Sequence, residues 1–224
     1  MGRPDARRGR AAGRGDPLTG PTVAERTFLV PLGWAGVGRS LEQVLVRDVL
    51  EHAADRPWRI QDTGVLGLWL DADRSYRLHV WDPDGAVGEP PIHDHPFDFT
   101  STLVVGEIVN TRFVEDPEGA EYLRERYRPG EEGERRADTV RLRGVPETLR
   151  AGDRYRQVAH ELHDSRQVPG TVTVLHFDHV VDDLPELTAC RPPGTPWVSG
   201  QARSATPDEV GRITSAALDL FARL

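Results

Sequence analysis

The pattern of apolar and polar positions changes along the chain from a helical period to a strand period and back. Leu41–Ala54 carries apolar residues at helical spacing, which predicts an amphipathic helix with Ser40 as its N-cap and Gln43 at the capping-box position. Near the other end, Thr206 is followed by a proline, two acids and a second apolar stripe. This helix-start signal predicts a C-terminal helix within 206–224.

Between these helices the chain contains short runs rich in β-branched and aromatic residues, separated by turn residues. Because no helical pattern separates the runs, they favour an all-β sandwich or barrel over β-α-β units. The predicted strands are Gly64–Leu70, Tyr76–Trp81, Phe97–Val105, Glu107–Phe113, Asp153–Val158 and Thr171–Phe177, with a further short one at Thr27–Val30.

Two segments lack this pattern. Residues 1–20 are rich in Gly, Arg, Pro and Ala, which predicts a disordered basic tail. The charged insert 115–136 is expected to be a surface excursion with a short helical stretch around 118–126, dispensable for folding and either a lid or a solvated loop. The body 21–205 then forms one domain, and the helix within 206–224 packs on it.

Composition narrows the class of protein. The 224 residues are 38% hydrophobic, and no run approaches the ~18 apolar residues of a spanning helix, so we expect no membrane association. The N-terminus has no apolar core typical of a secretory signal. The single cysteine, Cys190, excludes an internal disulfide and a cysteine-based zinc cluster. These features predict a cytoplasmic protein.

The charge balance excludes further classes. All 28 basic residues are arginines, so Schiff-base chemistry and lysine general bases are excluded. The net charge is −8, although the first twenty residues carry five arginines and two aspartates. An acidic body with a short basic tail argues against a nucleic-acid partner, which a basic folded face would indicate.

A glycine-rich segment near the N-terminus matches part of a phosphate-binding loop. Gly33 to Ser40 has the G-x4-G-x-[ST] spacing between a predicted strand and a predicted helix. However, Arg39 replaces the phosphate-binding lysine, and no alternation of strands and helices follows. We therefore favour a connecting loop whose Ser40 caps the helix.

Histidines supply the strongest chemical signal. In a strand, residues i and i+2 point to the same face, so His93 and His95 can offer two imidazoles to one ion. A second segment contains His160 and His163. For His160, a plain loop residue is favoured over a hydrogen-bond donor that supports a metal ligand.

Both segments resemble the two motifs of the cupin superfamily. His93, His95 and Gly106 match the first motif, G-x5-H-x-H-x3-4-E-x6-G, with Gly88 one position too close. Gly152 and His163 match the second motif, G-x5-P-x-G-x2-H-x3-N, in which Val158, His160 and Gln167 replace proline, glycine and asparagine. The resemblance implies a double-stranded β-helix, or jelly roll, that binds one metal through His93, His95 and His163.

The glutamate ligand of the first cupin motif is replaced by Phe99. Its absence is similar to the three-histidine thiol dioxygenases of the cysteine dioxygenase type, which implies Fe(II), although another divalent transition metal also suits imidazole ligands. In that family a histidine and a tyrosine two residues later assist at the iron. His176 and Asp178 occupy these places and are the catalytic candidates.

The resemblance places the family's carboxylate-binding arginine near Gly64–Leu70, where this chain has none, so cysteine is disfavoured as substrate. Another anion is expected, because three neutral imidazoles leave the charge of the metal uncompensated. The candidate substrate-binding residues are Arg77, His79, Phe97, Phe99 and Arg112.

Taken with the resemblance, the residues favour a non-heme Fe(II) dioxygenase or oxygenase that acts on an anionic small molecule and O2. One alternative is a metal-assisted isomerase, epimerase or lyase of the same fold, in which the ion polarises a carbonyl. Another is a non-catalytic cupin that binds a small molecule. Whether the chain works alone or as a homodimer is left open.

Overall fold

The structure is a computed structural model, and it describes residues 41–61, 64–82, 92–128, 136–178, 186–195 and 202–224. The predicted tail, the strand at Thr27–Val30, the glycine-rich segment from Gly33 and the Ser40 N-cap lie outside the described residues, as does Gly88.

The described chain folds into two helices and twelve strands. Helix α1 spans Leu41–Glu51 and is followed by one 3-10 turn at Ala53–Asp55, and helix α2 spans Pro207–Phe221. The strands are β1 Arg59–Gln61, β2 Val65–Trp69, β3 Tyr76–Trp81, β4 Ile92–His93, β5 Phe99–Val105, β6 Glu107–Tyr127, β7 Arg136–Arg150, β8 Arg154–Gln157, β9 His163–Gln167, β10 Val172–Phe177, β11 Leu187–Arg191 and β12 Ala202–Ser204.

The strands form two antiparallel sheets. The larger sheet has the order β12-β1-β2-β3-β10-β5-β8, and the smaller has the order β11-β4-β9-β6-β7. All described pairings are antiparallel, as short strands without crossover helices require. The predicted all-β core with two helices is confirmed.

Both helices pack on one face of the larger sheet. In β3, Leu78 and Val80 point to this face, while Arg77 and His79 point to the opposite face, as the period-two geometry of a strand requires. The main hydrophobic core therefore lies between the helices and this sheet. Its helical members are Val46, Val49, Leu50, Val210, Ile213, Ala217 and Phe221, and its strand members include Leu66, Leu68, Leu78, Val80, Val104 and Val172.

Helix α2 begins as its sequence predicts. The Thr206 hydroxyl accepts a hydrogen bond from the backbone N–H of Glu209, and the Glu209 carboxylate accepts one from the backbone N–H of Thr206. This reciprocal capping box satisfies two donors that the first turn would otherwise leave unpaired. The predicted apolar stripe is buried against the core.

The described part of the charged insert is strand, so the expected helix around 118–126 is wrong. Strand β6 continues to Tyr127 and pairs with β7, with a change of register between Glu115 and Ala120. Val140 and Leu142 of β7 are buried in a small core together with Ile92 and Cys190. Few apolar residues in the insert suggested a detached loop, but residues 120–126 pair with β7 and Tyr122 packs on the small core.

The far half of β6 also anchors the last strand of the smaller sheet. Strand β11 pairs with β6 over Leu123–Tyr127 and with β4 at Ile92–His93, while β9 pairs with the near half of β6 and with β4. The insert is thus part of the framework that holds β4. The last residue of β6, Tyr127, lines the cavity described below.

A cavity of about 280 Å³ lies between the inner faces of the two sheets. Its lining comes from both sheets, because the inward positions of β3 and β10 face those of β4 and β9. Within the described chain, neither helix is long and apolar enough to cross a membrane.

Candidate metal and ligand site

Three histidines meet on the wall of the cavity. His93 in β4 lies directly opposite His163 in β9, and His95 follows two residues after His93 on the same side. The ring centroids of His93 are 4.8 Å from those of both His95 and His163, and the latter two are 5.2 Å apart. The structure therefore brings together the three residues that the cupin resemblance names as metal ligands.

The side-chain nitrogens of this triad fit a metal ion. One ligand nitrogen from each ring lies within 4.8 Å of the other two. Three nitrogens that bind one ion at ~2.1 Å lie roughly 3.0–3.6 Å apart, from facial octahedral to trigonal geometry. The rings therefore need to approach one another by up to about 1–2 Å to hold an ion.

The electrostatic environment keeps two members of the triad, His95 and His163, neutral. Burial, followed by repulsion from His93 and Arg77, holds the pKa of His95 well below its ordinary value of 6.5. Burial also holds the pKa of His163 well below 6.5, with smaller contributions from His93, His95 and Arg112. Neutral imidazole is the form that binds a metal, so these shifts preserve the ligand form at neutral pH.

Asn110 orients His163 from behind. The Nδ1 of His163 donates to the amide oxygen of Asn110 over 3.0 Å, and the Ser165 hydroxyl donates to the same oxygen over 3.2 Å. A proton on Nδ1 leaves the lone pair on Nε2, and this buried Nε2 has no hydrogen-bond partner among the described residues. A buried acceptor without a partner on a cluster of imidazoles is what a metal ligand looks like before the ion binds.

Asp94, between the two histidines of the first motif, is occupied by structural contacts. Its carboxylate accepts the backbone N–H of Thr188 over 2.7 Å, and its own backbone N–H donates to the Thr188 carbonyl over 3.1 Å. The other carboxylate oxygen lies 3.3 Å from Nδ1 of His160. Asp94 thus fastens the metal-site turn to β11.

His160 lies outside the triad and supports a loop. Its backbone N–H donates to the His95 carbonyl over 2.8 Å, and its φ is +61°. His160 occupies the position at which the second cupin motif has glycine, and glycine adopts this left-handed conformation without a steric cost. Gly106, the last glycine of the first motif, has φ +95°, and a Cβ there would collide with Thr171.

A positively charged side chain, that of Arg77, lines the same cavity. Arg77 is opposite Trp69 in the β2–β3 pair, and its guanidinium carbon is 5.4 Å from the Trp69 ring centroid. Gly67 provides the space, since a Cβ there would be 2.6 Å from Nη2 of Arg77. Burial, and after it repulsion from Arg59, lowers the pKa of Arg77. No described carboxylate forms an ion pair with this side chain.

His79 adjoins Arg77 on the inner face of β3. Burial, then Arg77, then His95 hold the pKa of His79 well below 6.5, so its imidazole is neutral. Its Nε2 is inaccessible and has no hydrogen-bond partner among the described residues. Arg77 and His79, both expected to bind substrate, therefore line the cavity together.

Aromatic rings form another part of the lining, which we call the aromatic wall: Phe97, Phe99, Tyr155 and Phe177. Phe99 is 2% exposed and meets the His95 ring edge-to-face at 5.3 Å. Phe97 stacks on His95 at 5.4 Å. Phe97 and Phe99, both expected to bind substrate, thus line the cavity, and the wall reaches the triad.

Three predicted site residues are not among those lining the cavity. His176 lies on the opposite face of β10 from Leu175 and Phe177 and stacks on Tyr76, with ring centroids 4.6 Å apart. Asp178 is exposed and accepts from Arg156 over 3.3 Å. Arg112 donates to the Arg156 carbonyl over 2.7 Å and lies 3.5 Å from the Glu161 carboxylate.

The sequence concealed the orientation of β10 because both faces of this strand are buried. Val172 and Val174 contact the helical core, whereas Leu175 and Phe177 face the cavity. Because both faces of β10 carry apolar residues, the sequence pattern could not show which face lines the cavity. Asn110 was missed although a signal existed: a polar residue two positions after the buried Ile108 shares its inward face.

No protein-family profile matches this sequence, and comparison with curated proteins yields no match. Among solved structures, the crystal structure of Drosophila melanogaster CENP-C bound to CAL1 is similar at a TM-score of 0.29 and 12% sequence identity. The similarity covers 66% of this chain and 97% of the CENP-C structure's chain, and its TM-score is too low to support an argument about fold or function.

Proposed function

We propose that this protein is a cupin-type metalloprotein that binds one divalent transition metal through His93, His95 and His163, and that it is a cytoplasmic non-heme Fe(II) oxygenase for an anionic small molecule. The observation that carries the proposal is the convergence of three imidazoles on a cavity between two antiparallel sheets. The left-handed backbone at Gly106 and His160, where the cupin motifs have glycine, supports assigning the two sheets to a jelly roll.

The donor set favours a transition metal and an anionic ligand. Imidazole suits Fe, Cu, Ni and Zn, and three such ligands contribute no negative charge. Asp94, the one carboxylate among the described lining residues, is engaged by Thr188. When bound, the ion would supply Lewis acidity and, as Fe(II), redox chemistry with O2. The substrate is then left to supply the compensating negative charge.

Residues of this chain would bind and orient that substrate. Arg77 presents a half-buried cation without a described counter-ion, and an anionic group is its natural partner. His79, held neutral beside it, has a ring nitrogen without a hydrogen-bond partner among the described residues. The aromatic wall lines the space between Arg77 and the triad with apolar surface, and a ligand that displaces water from this space would strengthen these interactions.

Metal content of purified variants tests the site. The wild type is expected to hold about one ion per chain after anaerobic loading with Fe(II), and His163→Ala is expected to lose it. His160→Gly is the matched control, because it removes an imidazole from the same loop and glycine accepts a φ of +61°. Loss of metal in His160→Gly with retention in His163→Ala would overturn the assignment.

Oxygen uptake tests the chemistry. The iron-loaded protein is expected to consume O2 with at least one member of a panel of thiols, catechols and enolisable acids, and His95→Ala is expected not to. A protein that binds the metal and the compound without consuming O2 would contradict the oxygenase. It would indicate the isomerase, lyase or ligand-binding role instead.

A further inference from the structure

Aromatic rings connect the metal end of the cavity with its cationic end. The Phe97 ring stacks on His95, and Phe177 meets Phe97 edge-to-face with centroids 5.0 Å apart. Trp69 follows at 5.4 Å from Phe177, and the Arg77 guanidinium lies over Trp69. A ligand that extends from the triad to Arg77 therefore lies against aromatic faces and edges.

From this arrangement we infer that the cavity takes an aromatic carboxylate: a planar ring packs on the aromatic wall, and its carboxylate pairs with Arg77. The inference rests on the ligand-binding role proposed above for the same cavity and narrows it to a substrate class. The end of the molecule opposite the carboxylate then lies toward His93, His95 and His163.

The dimensions of the cavity agree with a ring-bearing ligand. A cavity of roughly 150 Å³ is enough to bind benzene when its lining is apolar. The volume here is about 280 Å³, which leaves space for a polar group at each end of a ring. A small polar molecule would fill only part of this volume and would leave Phe97 and Phe177 in contact with water. The complex would then lose the free energy gained by burying their apolar surface.

The charge at the far end selects an acid over an alcohol or an amine. Arg77 is half-buried beside Gly67, and no described carboxylate neutralises it. The guanidinium can donate two parallel hydrogen bonds to a carboxylate, a geometry that a hydroxyl does not match and a cation opposes. His79 adds a neutral ring nitrogen next to the same position.

Three probes separate the two halves of the inference: 3-phenylpropanoate has both ring and carboxylate, propanoate lacks the ring, and 3-phenylpropan-1-ol lacks the charge. Their dissociation constants would be measured by calorimetry on the full chain, as purified, Zn²⁺-loaded and chelator-treated. We expect 3-phenylpropanoate to bind at least about tenfold more tightly than either of the others.

Variants assign each preference to its residue. Arg77→Gln is expected to abolish the preference for the acid over the alcohol, whereas Arg154→Gln, an exposed arginine of β8 outside the lining, leaves it unchanged. Phe97→Leu keeps an apolar side chain but removes the ring, and it is expected to reduce the preference for 3-phenylpropanoate over propanoate.

Either of two results overturns the inference: no binding of 3-phenylpropanoate at millimolar concentration, or acid and ring preferences that persist in Arg77→Gln and Phe97→Leu. These results are independent of the proposed function, which fails on metal content or oxygen uptake. A metal-loaded oxygenase without an aryl preference would refute only the inference, and an aryl acid binder without metal would refute only the proposed function.

Discussion

His93 and His163 are direct partners across the β4–β9 pair, with ring centroids 4.8 Å apart. Two side chains directly opposite in an antiparallel pair point to the same face of the sheet. The backbone pairing thus delivers two of the three candidate ligands to one point without help from a loop. The near half of β6 is the next strand of the same sheet after β9, and its Asn110 forms a hydrogen bond with His163.

Asn110 is predicted to tune metal affinity. Asn110→Leu removes the acceptor for Nδ1 of His163, frees the ring to change tautomer and is expected to weaken metal binding about 10- to 100-fold. Asn110→Asp keeps an acceptor and is expected to restore most of the affinity. Competition titration with a chromophoric chelator measures both, with the visible spectrum of the Co²⁺-loaded variants as a report on ligand geometry. Equal affinity in Asn110→Leu and the wild type would contradict this role.

Acid is predicted to destabilise the metal-free protein through its buried histidines. The folded-state pKa values of His95 and His163 lie well below 6.5, so the unfolded chain binds more protons as the pH falls through 6.5. Stability is therefore complete above this pH and decreases below it, by at most about 1.4 kcal/mol per pH unit for each histidine. Urea unfolding between pH 7.5 and 5.5 measures the slope.

A single substitution checks the source of that slope. His163→Gln is expected to make the dependence on pH less steep. A slope that is the same in His163→Gln and the wild type would show that other groups cause the acid sensitivity.

Phe99 is predicted to occupy the place of a metal ligand. Phe99→Glu puts a carboxylate beside His95, so metal affinity is expected to hold or rise while anionic compounds bind more weakly, because the site loses one positive charge. Phe99→Leu is the control for the lost ring. Calorimetry with Zn²⁺ and with 3-phenylpropanoate measures the two effects, and unchanged values for both in Phe99→Glu would identify Phe99 as an ordinary core residue.

The β6–β7 hairpin is predicted to be necessary for stability. Leu142 is 1% exposed in the core with Ile92 and Cys190, and Leu142→Ala is expected to cost about 2–5 kcal/mol in the free energy of unfolding. Val145 on the same strand is 57% exposed, and Val145→Ala is expected to change stability by less than about 0.5 kcal/mol. Denaturant titration distinguishes them.

Replacement of 116–136 by a short Gly-Ser turn tests the hairpin as a unit. It removes the pairing partner of β11, which in turn pairs with β4 and its His93. We therefore expect a destabilised protein with weakened metal binding, instead of the folded variant that a detached lid would leave. Wild-type stability in this variant would show that β11 holds its place without β6.

The sequence by itself determined the elements whose signals are local. The Thr206 N-cap of α2 and the bounds of β3 follow from spacing within a few residues. The alternate positions His93, His95, Phe97 and Phe99 all line the cavity, although only His93 and Phe99 lie in strands. Such patterns can be predicted without knowledge of the fold, because they depend on the local geometry of the backbone.

Only the tertiary structure decided what depends on partners distant in the chain. The charged residues of the insert are typical of a loop, and only their pairing with β7 and β11 shows that they form a strand. Asn110 accepts a hydrogen bond from His163 only because β9 lies next to β6. His176 and Phe177 are both compatible with an inner face, since the helices bury one side of β10 and the cavity the other. Long-range pairing therefore assigned the face of β10 and built the aromatic wall from Phe97 to Phe177.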